Sequence, residues 1–292
     1  MQLYNKFNQS TKLVGVIGHP IKHSFSPLMH NLSFELTKQD YIYLPFDVPI
    51  SNLKDALKGM TALGINGFNV TLPLKEKIIP YLSDISEEAN VIGAVNTVLN
   101  DNGVLHGYNT DVNGITATLN KYKEELADSE VTIIGAGGAA RSVIYALIRY
   151  FKVARINIVN RTEQKAESLK DYFTAKMLYE NIKAYDLVPP DLVEIFSRSK
   201  LIVNTATIGM TPDIDDSATT IEKSFNKDQI VFDVVYTPVK TKLLQIAAKQ
   251  GARTENGLTM FVEQGARSFE LWTGETMPIE KIYKTLKSYL EE

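Results

Sequence analysis

The chain has 292 residues, of which 44% are hydrophobic and 22% are charged, so it can bury a sizeable core in one large domain or two smaller ones. Its formal net charge of −3 argues against a nucleic-acid-binding protein, since such proteins usually carry a basic patch. It contains no cysteine, which excludes disulfides, thiolate catalysis and metal sites with cysteine ligands.

The sequence carries no targeting or membrane signal. Residues 1–9 lack the apolar core of a secretory signal, and no run approaches the roughly 18 apolar residues of a membrane-spanning helix. We therefore expect a soluble cytoplasmic protein without nucleic-acid or membrane partners.

Strand and helix patterns alternate from the start of the chain. Ser26 is the expected N-cap of the first helix, with Pro27 at its first helical position. Apolar runs and helical patterns predict five elements in this half, with strands at 14–17, 41–44 and 67–70, and helices at 27–38 and 52–63.

The alternation restarts after about residue 110. A helix over 111–126 is expected to bridge the two halves, and Gly251 is a normal position for ending a helix. Strands that alternate with helices indicate βαβ units and a mainly parallel sheet in each half. The patterns predict strands at 131–134, 156–159, 201–204 and 230–234. They also predict one helix that starts at Ala139 and four more at 162–173, 240–250, 258–272 and 279–290.

A glycine-rich turn, Gly135-Ala136-Gly137-Gly138-Ala139-Ala140, lies between a predicted strand and a predicted helix. This is the setting that a dinucleotide-binding fingerprint requires. Gly135 permits a tight turn, Gly137 lets the backbone approach a pyrophosphate, and Ala140 keeps the helix close to the strand. The pyrophosphate would lie on the free N–H groups at the helix N-terminus. The alternative interpretation is a purely structural turn.

The end of the next strand distinguishes the two nicotinamide dinucleotides. An NAD site usually has an acid there, which accepts hydrogen bonds from the ribose 2′-hydroxyl. This chain has Asn160-Arg161-Thr162 instead, and its nearest acid, Glu163, is already on the predicted helix. Because the Arg161 guanidinium suits a 2′-phosphate, the predicted cofactor is NADP(H). Arg161 could otherwise be an ordinary surface residue.

Polar residues in the first half stand beside element ends. Ser24 and Ser26 flank a helix start, where hydroxyls and free N–H groups can bind a carboxylate. Lys75 follows a predicted strand end, where ligands of α/β proteins bind. Taken singly, Ser26 could be only an N-cap and Lys75 only a solvated charge.

Together these motifs resemble the shikimate dehydrogenase family over nearly the whole chain, in the family's order. The first-half motifs are Gly18-His19-Pro20-Ile21, His23-Ser24-Phe25-Ser26-Pro27, Asn69-Val70-Thr71-Leu72-Pro73-Leu74-Lys75, Gly93-Ala94-Val95-Asn96-Thr97 and Gly107-Tyr108-Asn109-Thr110-Asp111. The second-half motifs are Gly135 to Arg141, Asn160-Arg161-Thr162, Asn204-Thr205-Ala206, Asp233-Val234-Val235-Tyr236, Gly257-Leu258-Thr259-Met260 and Gln264-Gly265-Ala266.

The resemblance implies reversible, NADPH-dependent reduction of 3-dehydroshikimate to shikimate, a step in aromatic amino-acid precursor (chorismate) synthesis. It makes Lys75 the acid/base residue, paired with Asp111 at the substrate. It also implies a substrate pocket of Ser24, Ser26, Thr71, Asn96, Tyr236 and Gln264. The cofactor residues that it implies are Gly135, Ala136, Gly137, Gly138, Ala139, Asn160, Arg161, Thr162, Val234 and Gly257, with Thr205, Met210 and Glu87 as weaker candidates.

The resemblance also implies two α/β domains. Residues 1–112, joined by returning helices at 257–292, would form a mainly parallel-sheet substrate domain, and 113–256 a Rossmann-type NADP domain. The alternatives are a quinate/shikimate dehydrogenase that uses NAD(P), and a non-catalytic NADP-binding paralogue. We expect no metal, because the four histidines form no ligand cluster, and we expect a monomer or a homodimer.

Overall fold

The computed structural model describes residues 8–22, 24–187, 189–219 and 221–291, with the backbone alone described at 189–191. His23, which belongs to one of the motifs above, and residues 1–7 of the N-terminal stretch lie outside the described residues. The chain divides into two compact units, Met1–Thr110 with Val262–Leu286 and Asp111–Phe261 with Lys287–Glu292.

These boundaries differ by a few residues from those expected from the sequence. Asp111 begins a helix that belongs to the second unit. The first residues of the long helix Leu258–Thr273 also belong to the second unit. The reason is a close approach within that unit: a Cβ added to Gly114 would lie 2.3 Å from the Met260 carbonyl oxygen. The two helix starts are therefore packed together.

The first unit is a mixed sheet with helices on its faces. In chain order its elements are β1 (Lys12–Gly18), α1 (Ser26–Thr37), β2 (Tyr41–Asp47), α2 (Leu53–Ala62), β3 (Gly67–Val70), β4 (Asp84–Ile85), α3 (Glu87–Ile92), β5 (Thr97–Asp101) and β6 (Val104–Tyr108). The strand order is β2-β1-β3-β5-β6-β4, in which β5 runs antiparallel to β3 and β6 while the other neighbouring pairs are parallel.

The three predicted strands and two predicted helices of this unit are present, and the β5–β6 hairpin is an addition to the prediction. Its turn contains Asn102 and Gly103, whose φ angles are 51° and 96°. Two consecutive positive φ angles at Asn-Gly are typical of the tight turn that joins antiparallel strands. The Asn-Gly pair was therefore a hairpin signal in the sequence.

One face of this sheet carries a compact apolar core, in which Phe68 and Val98 pack with Leu57 of α2. The other face carries aromatic side chains of α1 and of the long C-terminal helix α10 (Leu258–Thr273). The Trp272 Nε1–H donates to the Val98 carbonyl at 3.0 Å, which fixes α10 to strand β5. A Cβ at Gly67 would lie 2.3 Å from Trp272 Nε1, so only glycine allows this approach.

His30 of α1 is fully buried in this aromatic face. Its ring stacks on Tyr43 at 4.5 Å between centroids and lies 5.2 Å from the Trp272 ring. Neither ring nitrogen has a hydrogen-bond partner among the described residues. Burial lowers the pKa of His30 from 6.5 to about 3, because the cation would have to leave water.

The second unit is a parallel sheet with helices between its strands. Its strands are β7 (Glu130–Ile134), β8 (Arg155–Asn160), β9 (Ile182–Asp186), β10 (Leu201–Asn204), β11 (Ile230–Asp233) and β12 (Arg253–Glu255). Its helices are α4 (Asp111–Leu119), α5 (Lys123–Leu126), α6 (Gly138–Ala146), α7 (Glu163–Met177), α8 (Pro189–Arg198) and α9 (Lys242–Lys249). One more helix, α11 (Ile279–Glu291), follows α10 at the end of the chain.

The strand order of the second sheet is β12-β11-β10-β7-β8-β9, with every pair parallel. In order along the sheet this is the 3-2-1-4-5-6 arrangement of doubly wound nucleotide-binding sheets. The fold class predicted from the sequence is thus confirmed. The predicted bridging helix over 111–126 is divided into α4 and α5 by a 3-10 turn at Asn120–Tyr122.

The predicted N-cap of α1 was wrong by one residue. Phe25 occupies the cap and Ser26 is already helical, so Pro27 stands at the second helical position. The Ser24 hydroxyl accepts the Ser26 N–H at 3.3 Å and takes over the capping role that the sequence assigned to Ser26. None of the helices that the described residues form has the length and apolarity needed to cross a membrane.

Candidate active site

The glycine-rich turn links β7 to α6. Gly135 has a φ of +108°, which favours glycine, and its N–H donates to the Val159 carbonyl at 2.8 Å. Gly137 is the N-cap of α6, and a Cβ added to it would meet no atom within 4 Å. Helix α6 begins at Gly138, one residue before the predicted start, and Ala140 is fully buried against the sheet.

This turn lies where the strand order of the second sheet reverses. From β7 the chain passes to β8 and β9 on one side, whereas β10 and β11 lie on the other. Thr205, just after β10, donates through its backbone N–H and its hydroxyl to the Ile134 carbonyl at 2.8 and 2.7 Å. A Cβ at Gly135 would lie 2.6 Å from Thr205 Oγ1. Thr205 therefore stands beside the turn, at the position where such sheets bind ligands.

The segment after β8 is open to solvent. Arg161 and Thr162 are exposed, and the Asn160 Nδ2 donates to the Thr162 carbonyl at 2.8 Å, which holds the segment in a tight loop. An exposed guanidinium at this strand end, with a neighbouring hydroxyl, suits the phosphate of NADP. Together with the open side of Gly137 and the N-terminus of α6, these residues fit an NADP molecule.

A buried aspartate organises the opposite side of the turn. Asp233 ends β11 and accepts hydrogen bonds from Thr241 Oγ1 at 2.7 Å, Asn204 Nδ2 at 2.9 Å and the Val235 N–H at 3.1 Å. Burial raises the pKa of its carboxyl to about 6, against the effect of these three donors. Since Thr241 is also the N-cap of α9, Asp233 connects two strand ends to a helix start.

The loop after β11 carries two predicted site residues, Val234 and Tyr236, and a third, Gly257, follows β12. Val234 donates its N–H to the Asn204 carbonyl at 3.0 Å, and Tyr236 stacks on Phe261 at 4.4 Å between centroids. A Cβ at Gly257 would lie only 2.0 Å from the Val234 carbonyl oxygen. Val234 and Gly257, predicted separately, are therefore in backbone contact.

Two weaker cofactor candidates lie elsewhere. Met210 is half-buried in the loop after β10, where its N–H donates to the Thr207 carbonyl at 3.2 Å. Glu87 is exposed at the first position of α3 in the first unit. An acid in the first turn of a helix is favoured by the helix dipole, which accounts for Glu87 without a ligand.

In the first unit, Lys75 lies in the turn after β3, and a single 3-10 turn, Ile79–Tyr81, follows it. The side chain of Lys75 is half-buried, and its carbonyl accepts the Val95 N–H at 2.8 Å. Thr71 of the same segment is attached to β1 through a 2.9 Å bond from its N–H to the Ile17 carbonyl. Lys75 is thus held beside the residue that precedes Asn96.

Asn96 is 2% exposed and lies among other polar groups. Its Oδ1 accepts the Thr110 N–H at 2.7 Å, while its Nδ2 lies 3.0 Å from Thr110 Oγ1 and 3.4 Å from Gln264 Oε1. The structure therefore brings together two of the predicted substrate residues, Asn96 and Gln264. Asp111, 4% exposed, follows Thr110 directly as the first residue of α4.

Four further residues of this region have no role predicted from the sequence. Asn69, Thr97 and Thr110 lie inside the quoted motifs, and Ser268 was not singled out. Their polar side chains are nevertheless buried and joined to Asn96. The available signal was a serine on the buried side of α10, one helical turn after Gln264. In the described part of the chain, no three histidine or acidic side chains stand close enough to hold a metal ion.

Comparison with known families covers most of the chain. The model of the shikimate dehydrogenase substrate binding domain matches residues 16–98. The model of shikimate / quinate 5-dehydrogenase matches residues 117–237, and that of the shikimate 5′-dehydrogenase C-terminal domain matches residues 257–287. The three matches follow the order of the two units along the chain.

Relatives match over almost their full length. The shikimate dehydrogenase (NADP(+)) of Caldanaerobacter subterraneus subsp. tengcongensis is 42% identical over 282 residues, which are 97% of this chain and 99% of the relative. A solved shikimate dehydrogenase in complex with NADP+ is 40% identical with a TM-score of 0.88, and 97% of each chain is covered. A quinate dehydrogenase from Corynebacterium glutamicum, solved with NAD, is 30% identical with a TM-score of 0.85, covering 95% of this chain and 99% of that one.

Proposed function

Because this chain belongs to the shikimate dehydrogenase family, we propose that it catalyses the reversible, NADP-dependent interconversion of 3-dehydroshikimate and shikimate. The observation that carries the proposal is the 2.8 Å backbone bond between Val95 and Lys75, which joins the turn of the half-buried Lys75 to the segment that contains the buried Asn96. If the Lys75 cation and the Asn96 amide both face the substrate, they suit a ketone whose oxygen becomes negative during reduction.

The second unit would hold the cofactor. Gly135 to Ala139 and the N-terminus of α6 would bind the pyrophosphate, and Asn160, Arg161 and Thr162 the 2′-phosphate. Thr205, Val234 and Gly257 would line the same edge of the sheet. Met210 and Glu87 stay weaker cofactor candidates, and neither is assigned to that edge. NADPH, when bound, supplies the hydride that reduces the carbonyl carbon.

Lys75 would move the proton. In the reductive direction its ammonium group donates a proton to the carbonyl oxygen as charge develops there, and in the oxidative direction the amine accepts the hydroxyl proton. Asp111 would pair with Lys75 and orient its ammonium group, and its carboxylate would accept a hydrogen bond from a substrate hydroxyl. The proton balance closes, since one hydride and one proton are added to the carbonyl.

The remaining polar residues would fix the substrate. Ser24 and Ser26 stand at the N-terminus of α1, where hydroxyls and N–H groups favour a carboxylate. Thr71, Asn96, Tyr236 and Gln264 would hydrogen-bond the substrate hydroxyls.

Two other functions remain as outcomes of the assay. A quinate/shikimate dehydrogenase using NAD is favoured by the 30% identity to the quinate enzyme, but the exposed Arg161 and the absence of an acid before α7 favour NADP. A non-catalytic NADP-binding protein would be expected to lack the lysine and aspartate, and this chain has both Lys75 and Asp111.

The test is oxidation of shikimate with NADP+, followed by the absorbance of the reduced cofactor. We expect Lys75→Ala to lower turnover by about 10²-fold or more, the usual scale for an acid/base group, with little change in shikimate binding. Lys77→Ala is the matched control, since Lys77 is an exposed lysine of the same turn. Normal turnover by the Lys75 variant would remove Lys75 from the mechanism, and efficient use of quinate with NAD would favour the first alternative.

A further inference from the structure

Three buried hydroxyls meet in the core of the first unit, from strand β5, from helix α10 and from the loop between β6 and α4. Thr97 Oγ1 lies 2.8 Å from Ser268 Oγ and 3.2 Å from Thr110 Oγ1, and the latter two oxygens are 3.2 Å apart. All three side chains are at most 2% exposed. Such a group is costly to bury unless each oxygen has a partner, so its geometry is constrained from all sides.

Asn69 of β3 contacts two of these three hydroxyls. Its Nδ2 lies 3.0 Å from both Thr97 Oγ1 and Ser268 Oγ and 3.2 Å from the Asn96 carbonyl oxygen. A backbone carbonyl only accepts, so the nitrogen must be on this side. The Asn69 Oδ1 then accepts the Tyr43 hydroxyl at 2.7 Å, which fixes the amide in one orientation.

The orientation of the Asn96 amide is fixed in the same way by its neighbours. The Thr110 backbone N–H only donates, so the atom 2.7 Å away must be Asn96 Oδ1. The Nδ2 therefore faces Thr110 Oγ1 and Gln264 Oε1. The 3.4 Å contact with Gln264 is longer than an ordinary hydrogen bond, and a substrate hydroxyl can take its place.

Gln264 is held by the same group from the other side. The Ser268 hydroxyl donates to the Gln264 backbone carbonyl at 3.1 Å, one helical turn earlier on α10. Ser268 thus contacts Thr97, Asn69 and the backbone of a predicted substrate residue at once. Through it, the position of α10 along β3 and β5 is set by hydrogen bonds that have direction, whereas apolar packing alone allows sliding.

We propose that Thr97 and Ser268, with Asn69, are positioning residues, which fix Asn96 and Gln264 in the one arrangement that binds the substrate. None of the three touches the substrate in this proposal. The inference rests on the proposed function, because it assigns Asn96 and Gln264 to shikimate. It predicts that loss of one buried hydroxyl alters shikimate binding and leaves the NADP site unchanged.

The experiment compares Thr97→Val, which keeps the shape and removes the hydroxyl, with Thr97→Ser, which keeps the hydroxyl. KM for shikimate, KM for NADP+, kcat and thermal midpoint are measured for both and for the wild type. We expect Thr97→Val to raise KM for shikimate roughly 10-fold, the scale of one buried hydrogen bond, with KM for NADP+ unchanged. Thr97→Ser is expected to stay within about 2-fold of the wild type in both KM values.

Other results would overturn the inference. An unchanged KM for shikimate in Thr97→Val, or an equal rise in both KM values, would leave these hydroxyls with a structural role only. If Thr97→Val does not fold, Ser268→Ala decides the question by the same two criteria. A wild type that does not oxidise shikimate would refute the proposed function, a result separate from any difference between variants.

Discussion

Replacing His30 with leucine is expected to make the first unit more resistant to acid. The imidazole is fully buried between Tyr43 and Trp272, and its pKa is lowered from 6.5 to about 3. Between these two values the unfolded chain binds a proton that the folded chain does not. The free energy of unfolding therefore falls as the pH falls through this range.

The size of the effect follows from the pKa shift. Each pH unit between the two values costs about 1.4 kcal/mol, so His30 lowers the free energy of unfolding by roughly 3 kcal/mol between pH 7 and pH 4. Leucine has no titratable group, and it also removes two buried nitrogens that have no partner among the described residues. A modest gain in stability at pH 7 is therefore expected as well, on the order of 1 kcal/mol.

The assay is urea unfolding at a series of pH values, followed by tryptophan fluorescence. Trp272 is the single tryptophan of the chain, and it lies 5.2 Å from the His30 ring, so the signal reports the first unit. Carboxylates elsewhere in the protein also contribute to acid sensitivity. Their contribution cancels in the difference between the wild type and His30→Leu.

Phe34→Leu is the matched control for packing. Phe34 is 2% exposed and lies in the same aromatic group, 6.2 Å from His30, but it carries no proton. Phe34→Leu is expected to lower the free energy of unfolding by the same amount at every pH, so the dependence of stability on pH stays that of the wild type. Equal slopes for His30→Leu and the wild type between pH 4 and pH 6.5 would refute the reasoning.

Two further substitutions test the cofactor edge of the second unit. Arg161→Ala is expected to raise KM for NADP+ by about 10-fold or more and to leave KM for NAD+ unchanged, because a charged hydrogen bond is lost only with the phosphate; an equal effect from the exposed Arg149→Ala would contradict this. Gly257→Ala is expected to lower the thermal midpoint, since its Cβ would lie 2.0 Å from the Val234 carbonyl oxygen and overpacking costs roughly 1–3 kcal/mol. Gly59→Ala meets no atom within 4 Å and is expected to be neutral or stabilising; a Gly257 variant as stable as this control would be inconsistent with the contact.

The central strands were predictable because they are buried on both faces. Strands β7, β8, β10 and β11 read as short, nearly continuous apolar runs in the sequence, which is typical of parallel sheets covered by helices. The edge strands β9 and β12 contain charged and polar residues, so they lack that pattern. Their pairing with the sheet depends on tertiary contacts.

The site was predictable where it is local in sequence. The turn at Gly135 and the segment Asn160-Arg161-Thr162 each carry their chemistry in a few consecutive residues. The three buried hydroxyls that meet in the first unit could not be predicted in this way, since Thr97 and Ser268 are 171 residues apart. The cap of α1 was assigned to Ser26, because either of two serines two positions apart can satisfy a helix start. Only the structure shows that the Ser24 hydroxyl accepts the hydrogen bond.

The attachment of α10 to strand β5 also bears on how the chain is made. Val98 and Trp272 are joined by a hydrogen bond across 174 residues, so a ribosome adding 5–20 residues per second delivers this helix roughly 10–35 s after the strand that it covers. Throughout that interval the sheet face around Gly67 lacks its helix, while the uninterrupted stretch 111–261 of the second unit is completed. The amide of Asn69 and the hydroxyl of Thr97 lie on this uncovered face, and water solvates both groups well. The nascent chain therefore exposes a surface that is less prone to aggregation than an all-apolar sheet face would be.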